Sequence, residues 1–175
     1  MPLRQEHRAN TPASVARPHR ARSRCHIELF TQAHYRQSIE PDAALSELWK
    51  DVFLFHWKEE SQHAMLDELE WQREDAKLTP AERDQAVNDL IELVAAVDGI
   101  LQTQAKADAD HFLRVCGRMF DVAQVQQIRD TMLHAYRWQY IVSGVKDERF
   151  QEILGRMISE AQFDRIQAAL GPIIN

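Results

Sequence analysis

"KLTPAERD", residues 77–84, marks the boundary on which the fold turns. Thr79 is suited to cap a helix, because its side-chain oxygen can accept a bond from an unpaired N–H of the first turn. Pro80 fits the first helical position, and Glu82 three residues on completes a capping box. Upstream, 42–78 contains neither Gly nor Pro. Downstream, apolar residues recur at Val87, Leu90/Ile91, Val94, Leu101, Ala105 and Phe112, the helical period, as far as about 116. Two helices of about 36 residues, each about 54 Å long, are therefore expected. A turn of two or three residues between them forces an antiparallel arrangement.

The rest of the chain reads in the same way. A first helix is expected over about 22–39, and Pro41 with Asp42 suits the start of the second. "CGRMFD" (116–121) is a Gly-stopped turn with Asp121 as the next cap. A fourth helix follows over about 122–143, and a fifth over about 147–170, ending at Gly171-Pro172. No segment has strand character. The expectation is an all-α antiparallel four-helix bundle with an additional C-terminal helix.

Composition narrows the class. The chain is 45% apolar, with 5 Gly and 6 Pro in 175 residues, which suits one domain of long helices. Residues 1–24 hold six arginines and one acid, Glu6, and three of the prolines. A basic, disordered tail over 1–21 is expected, followed by the bundle over 22–175. The body is acidic, which speaks against a nucleic-acid surface, and no run is apolar enough to span a membrane. Cys25 and Cys116 have no metal or disulfide spacing, so a reducing, cytoplasmic setting and two packed thiols are expected. Tyr136, Tyr140 and the four tryptophans read as packed aromatics.

"HWKEESQHA" (56–64) interrupts the apolar pattern of the second helix. His56, Glu60 and His63 are spaced i, i+4, i+7 and share a face. If that face is inward, an unpartnered carboxylate and two imidazoles cost several kcal/mol. A metal ion offsets that cost, since carboxylate and neutral imidazole suit iron, manganese or zinc. In the opposing reading the helix is rotated. Trp49, Phe53, Trp57, Ala64 and Trp71 then face the core, and Glu60 and His63 face solvent.

"EESQHA" resembles the Glu-x-x-His signature of the ferritin-like superfamily of diiron carboxylate proteins, and the added His56 is similar to the diiron aryl-amine N-oxygenase type. The resemblance implies a ferritin-like bundle holding two irons. It implies oxidase or oxygenase activity on a small molecule, and a further glutamate about one helix upstream, for which Glu28 is the candidate.

The chain departs from that pattern in lacking a second Glu-x-x-His. Folding about the turn near 78 sets residue 60 level with about 97, which nominates Asp98 as a third-helix ligand. The same arithmetic brings His134 to within about 7 Å along the axis. Asp108 and His111 fall about 15–20 Å from the Glu60 level. The expected metal ligands are thus Glu28, His56, Glu60, His63, Asp98 and His134. The rival is a non-catalytic metal-binding or oligomeric interaction protein with an incomplete site. A haemerythrin-like carrier, suggested by His26 and His56, is disfavoured by the absence of His-x-x-x-His on the third helix.

Overall fold

The computed structural model describes residues 16–174, and side chains from Cys25 onward. Every regular element among them is helical. Helix α1 (Ala16–His34) runs on through a π-helical turn, Tyr35–Ile39. Helix α2 spans Glu47–Asp75 and α3 spans Pro80–Val115. Helix α4 (Val122–Arg137) continues through a second π-helical turn, Trp138–Val142, and a last turn, Ser143–Val145. Helices α5 (Glu148–Met157) and α6 (Glu160–Ile174) complete the chain. No helix among the described residues is long and apolar enough to cross a membrane.

The caps explain most boundaries. Thr79 accepts from the Glu82 N–H at 3.3 Å while Glu82 accepts from the Thr79 N–H at 2.8 Å, the reciprocal box expected at α3. Asp121 and Gln124 form a second box at α4. Gly117, at φ +68°, makes the turn before it.

Three boundaries differ from expectation. Helix α2 begins at Glu47, because Ser46 is extended and accepts from the Trp49 N–H, whereas Pro41 lies in the preceding loop. The fifth expected helix is two. Ile158 is extended at φ −120°, and Ser159 with Gln162 exchange side-chain and backbone bonds that restart the helix. That Ser-x-x-Gln box was legible and outweighs the apolar period running across it. Gly171-Pro172 does not end α6, which runs to Ile174. The basic tail expected over 1–21 falls largely outside the described residues, and α1 is described from Ala16.

The C-terminal pair is central rather than additional. The core joins Cys25 and Leu29 of α1, Ala64 and Trp71 of α2, and Val87 of α3. From the C-terminal pair it takes Phe150 and Ile153 of α5, with Ile166 and Leu170 of α6. Burying each of the large side chains stabilises the fold by about 2–3 kcal/mol. Helix α1 packs along α2, and α3 packs along α4 and α6. The two long helices, expected side by side, are joined at their common end, where Arg83 bonds both carboxylate oxygens of Asp75.

Helix α1 also meets the end of α4 closely. His26 Nε2 lies 3.1 Å from the Ile141 carbonyl, and a Cβ on Gly144 would sit 2.8 Å from that same nitrogen and 3.1 Å from Phe30 Cβ. The Phe30 Cβ belongs to a packed helix and cannot swing aside. Gly144→Ala is therefore expected to destabilise the protein by about 1–3 kcal/mol in urea unfolding, the usual cost of overpacking. Gly155→Ala, where an added Cβ meets nothing within 4 Å, is expected to cost none of that.

Candidate metal centre

Glu28 of α1 and Glu60 and His63 of α2 converge, each offering one ligand atom, with those atoms within 4.8 Å of one another. It is the one cluster of its kind among the described residues. The register of the two helices is set one turn away. The Gln32 amide donates to the Trp57 carbonyl at 3.0 Å, and the Ser61 hydroxyl donates to Gln32 Oε1 at 2.9 Å. Gln32 is buried, so these bonds form where water does not compete well.

Glu60 is the hub. Its Oε2 lies 2.7 Å from His63 Nδ1 and its Oε1 3.4 Å from His56 Nδ1. Its side chain is 16% exposed, against 48% and 50% for His56 and His63. The polar stripe is thus neither fully inward nor solvated. Ala64 and Trp71 face the core as in the rotated reading, Glu60 sits beneath the surface, and the histidines rim it.

The two glutamates perturb each other's protonation. Burial, then a hydrogen bond from its own carboxyl to Glu60, pushes Glu28 up to about 7. The same bond, with help from His63 and His56, holds Glu60 below its ordinary value. The bond to Glu60 raises His63. Two carboxyls this close disfavour each other's charged form, so one of them holds its proton to higher pH.

Beside His56 lies a cavity of about 630 Å³, lined also by His34, Trp57, Tyr136, Gln139 and Tyr140. Both π-helical turns open onto it, one through Tyr35 and the other through Gln139 and Tyr140. Such turns often occur where a helix is distorted to shape a functional site. His34 Nδ1 and Trp57 Nε1 are buried with no hydrogen-bond partner among the described residues. Burial pulls the His34 imidazole down, against a bond with Gln139. Tyr136 donates a short hydrogen bond to Asp108. In the sequence Tyr136 and Tyr140 have the pattern of packed aromatics, and nothing there marks His34 or Gln32 for a role. The π turns that place Tyr35 and Gln139 have no sequence signature.

Two expected ligands lie elsewhere. Asp98 is buried on α3, where both its oxygens accept from Arg137 of α4, at 2.7 and 2.9 Å, and one from Gln102. Burial raises this carboxyl, but the Arg137 and Gln102 bonds outweigh it and hold it below its ordinary value. The register arithmetic assumed that α2 and α3 pack along their length. They do not, so Asp98 faces α4. His134 is exposed on α4 and joins no ligand cluster. Asp108 and His111 are occupied by Tyr136 and Arg114.

No family model, curated protein or solved structure matches the chain.

The Glu28 proton has a pH signature. Without metal, the folded state keeps on Glu28 a proton that the unfolded chain releases near 4.5. A raised folded-state pKa gives stability that is complete below 4.5 and lost as pH rises to about 7. Metal-free protein is therefore expected to lose melting temperature across that window relative to Glu28→Gln. Parallel thermal melts of the two proteins, followed by circular dichroism, check it.

Proposed function

We propose that this chain is a metal-binding helical-bundle protein of the ferritin-like, carboxylate–histidine type. Glu28, Glu60 and His63 are the ligands of a divalent transition ion, and His56 is the adjacent fourth donor. The observation that carries this reading is the convergence of two glutamates and a histidine from two helices, with Glu28 holding its proton up to about pH 7. Displacing that proton relieves the burial of a neutral–charged carboxyl pair. The mixed oxygen and nitrogen donor set suits iron or manganese, with zinc as a competitor. Four donors from this chain make one ion per chain the natural stoichiometry, and a second iron lacks a second Glu-x-x-His.

The proposed activity is oxidation of a small molecule. A bound iron supplies the redox chemistry and open coordination positions. The chain supplies the rest. Glu60 holds the His63 imidazole by a hydrogen bond and has His56 at 3.4 Å, and Gln32 fixes the spacing of α1 and α2. The cavity beside His56 houses the substrate, with His34 Nδ1 and Trp57 Nε1 as unused polar contacts. A second, apolar cavity of about 370 Å³ adjoins it across Phe30 and Tyr140, which favours a substrate with both a polar and an apolar part.

Anaerobic titration with Fe(II), read by bound metal after gel filtration, tests the assignment. About one ion per chain is expected. Glu60→Ala is expected to abolish loading, and His56→Ala, which removes a donor, to weaken it by more than the roughly 10–100-fold that losing a merely orienting group costs. Asp98→Asn is expected to load normally while losing about 1.5–3 kcal/mol of stability, the worth of hydrogen bonds to a charged partner. No uptake by the parent, or normal uptake by Glu60→Ala, contradicts the reading.

A further inference from the structure

Helix α2 carries two apolar faces, and only one is covered. Ala64 and Trp71 are buried in the core. Phe55 and Ala64 are nine residues apart, which at about 100° per residue places them on opposite sides of the helix. On Phe55's side stand Leu48, Val52, Phe55, Met65, Leu66 and Leu69, exposed by 54–75%. Five of these fall at 48, 52, 55, 66 and 69, and exposed Glu59 and Gln62 fill the gap. The spacing alternates four and three, the seam of a coiled coil. A surface helix needs one apolar stripe, and this one has a second that no described residue covers.

The geometry points to this seam as a docking surface for a second copy of the chain, with the two α2 helices antiparallel. Register decides the occupant. In an antiparallel pair, positions summing to 121 face each other, so Val52 meets Leu69 of the second copy, and Phe55 meets Leu66. Glu59 then meets Gln62, whose amide donates to the carboxylate, twice by symmetry. The neighbouring antiparallel register, summing to 114, sets Val52 against Gln62 and Phe55 against Glu59. A parallel pair sets Glu59 against Glu59, like charge on like charge. Of the two antiparallel registers, the first matches apolar to apolar and donor to acceptor over 52–69 and leaves Leu48 against the Arg73 stem at each end, while the second within the helix matches only Leu48 with Leu66. The five seam side chains offer on the order of 500 Å² from each copy, about 1,000 Å² for the pair, the least that a specific interface needs. The chain's own first 24 residues do not suit the seam, since they are arginine-rich and their large apolar residues are Met1, Leu3 and Val15.

The proposal stands apart from the metal reading, so its test is run with chelator present. Light scattering of the full chain is expected to give twice the chain mass. Phe55→Glu and Leu66→Glu, both at exposed positions, are each expected to give monomers with unchanged helical circular dichroism. For orientation, Val52→Cys and Leu69→Cys proteins are mixed under oxidation. A cross-linked heterodimer is expected, and neither protein alone should cross-link through the new cysteine. A monomeric parent overturns the proposal, whether the seam is then bare or held by another segment or partner. A dimer that survives both glutamate substitutions overturns it too, as does cross-linking of Val52→Cys to itself. If a glutamate variant fails to fold, the cross-linking pair alone decides.

Discussion

The carboxyl pair between α1 and α2 is the constraint around which the molecule is arranged. Two glutamates are brought to within ligand distance of each other and of His63. Among the described residues no lysine or arginine is paired with either, and burial with the neighbouring Glu60 carboxyl pushes Glu28 up to about 7. Holding such a pair together needs a rigid clamp, which the structure provides on both sides. The Gln32–Ser61–Trp57 bonds tie α1 to α2 on one side. On the other, the Trp71 and Phe150 rings pack 5.7 Å apart in the core. The close passage of α1 over Gly144 anchors α1 from behind.

This explains the division of labour among the acids. Other buried acids whose bonds are resolved are satisfied by cations: Asp98 by Arg137, Asp75 by Arg83, and Glu74 by Lys77 and Arg73. These pairs fasten helices or cap their ends. Among the described residues, Glu28 and Glu60 are faced by each other and by His63, with His56 beside Glu60.

Much of this was legible in the sequence. The Thr79–Glu82 box located α3 because capping depends on local bonds between residues three apart. Glu60 and His63 were legible because their spacing along one helix is local too. Glu28 is nominated by resemblance alone, since a tight turn near 40 would set it level with residue 53, about 10 Å from Glu60; the seven-residue loop 40–46 and the π turn at Tyr35–Ile39 allow the closer approach. Asp98 went astray for the converse reason. A register between two helices depends on whether they pack along their length, and the pattern of either helix alone does not contain that. The outward stripe of α2 misled in the same way. Leu48 and Val52 have the period of core residues, yet they lie on the far side from the residues that pack.

The central claim is that a metal ion takes the place of the proton held by Glu28 beside Glu60. Calorimetry of Mn(II) binding near pH 6, in two buffers of different ionisation enthalpy, counts the protons released per ion. The account predicts release of at least one proton per ion near pH 6, declining as the pH is raised past about 7, where Glu28 has already lost its own. Binding near pH 6 with no proton released, or a release unchanged in Glu28→Gln, would contradict it.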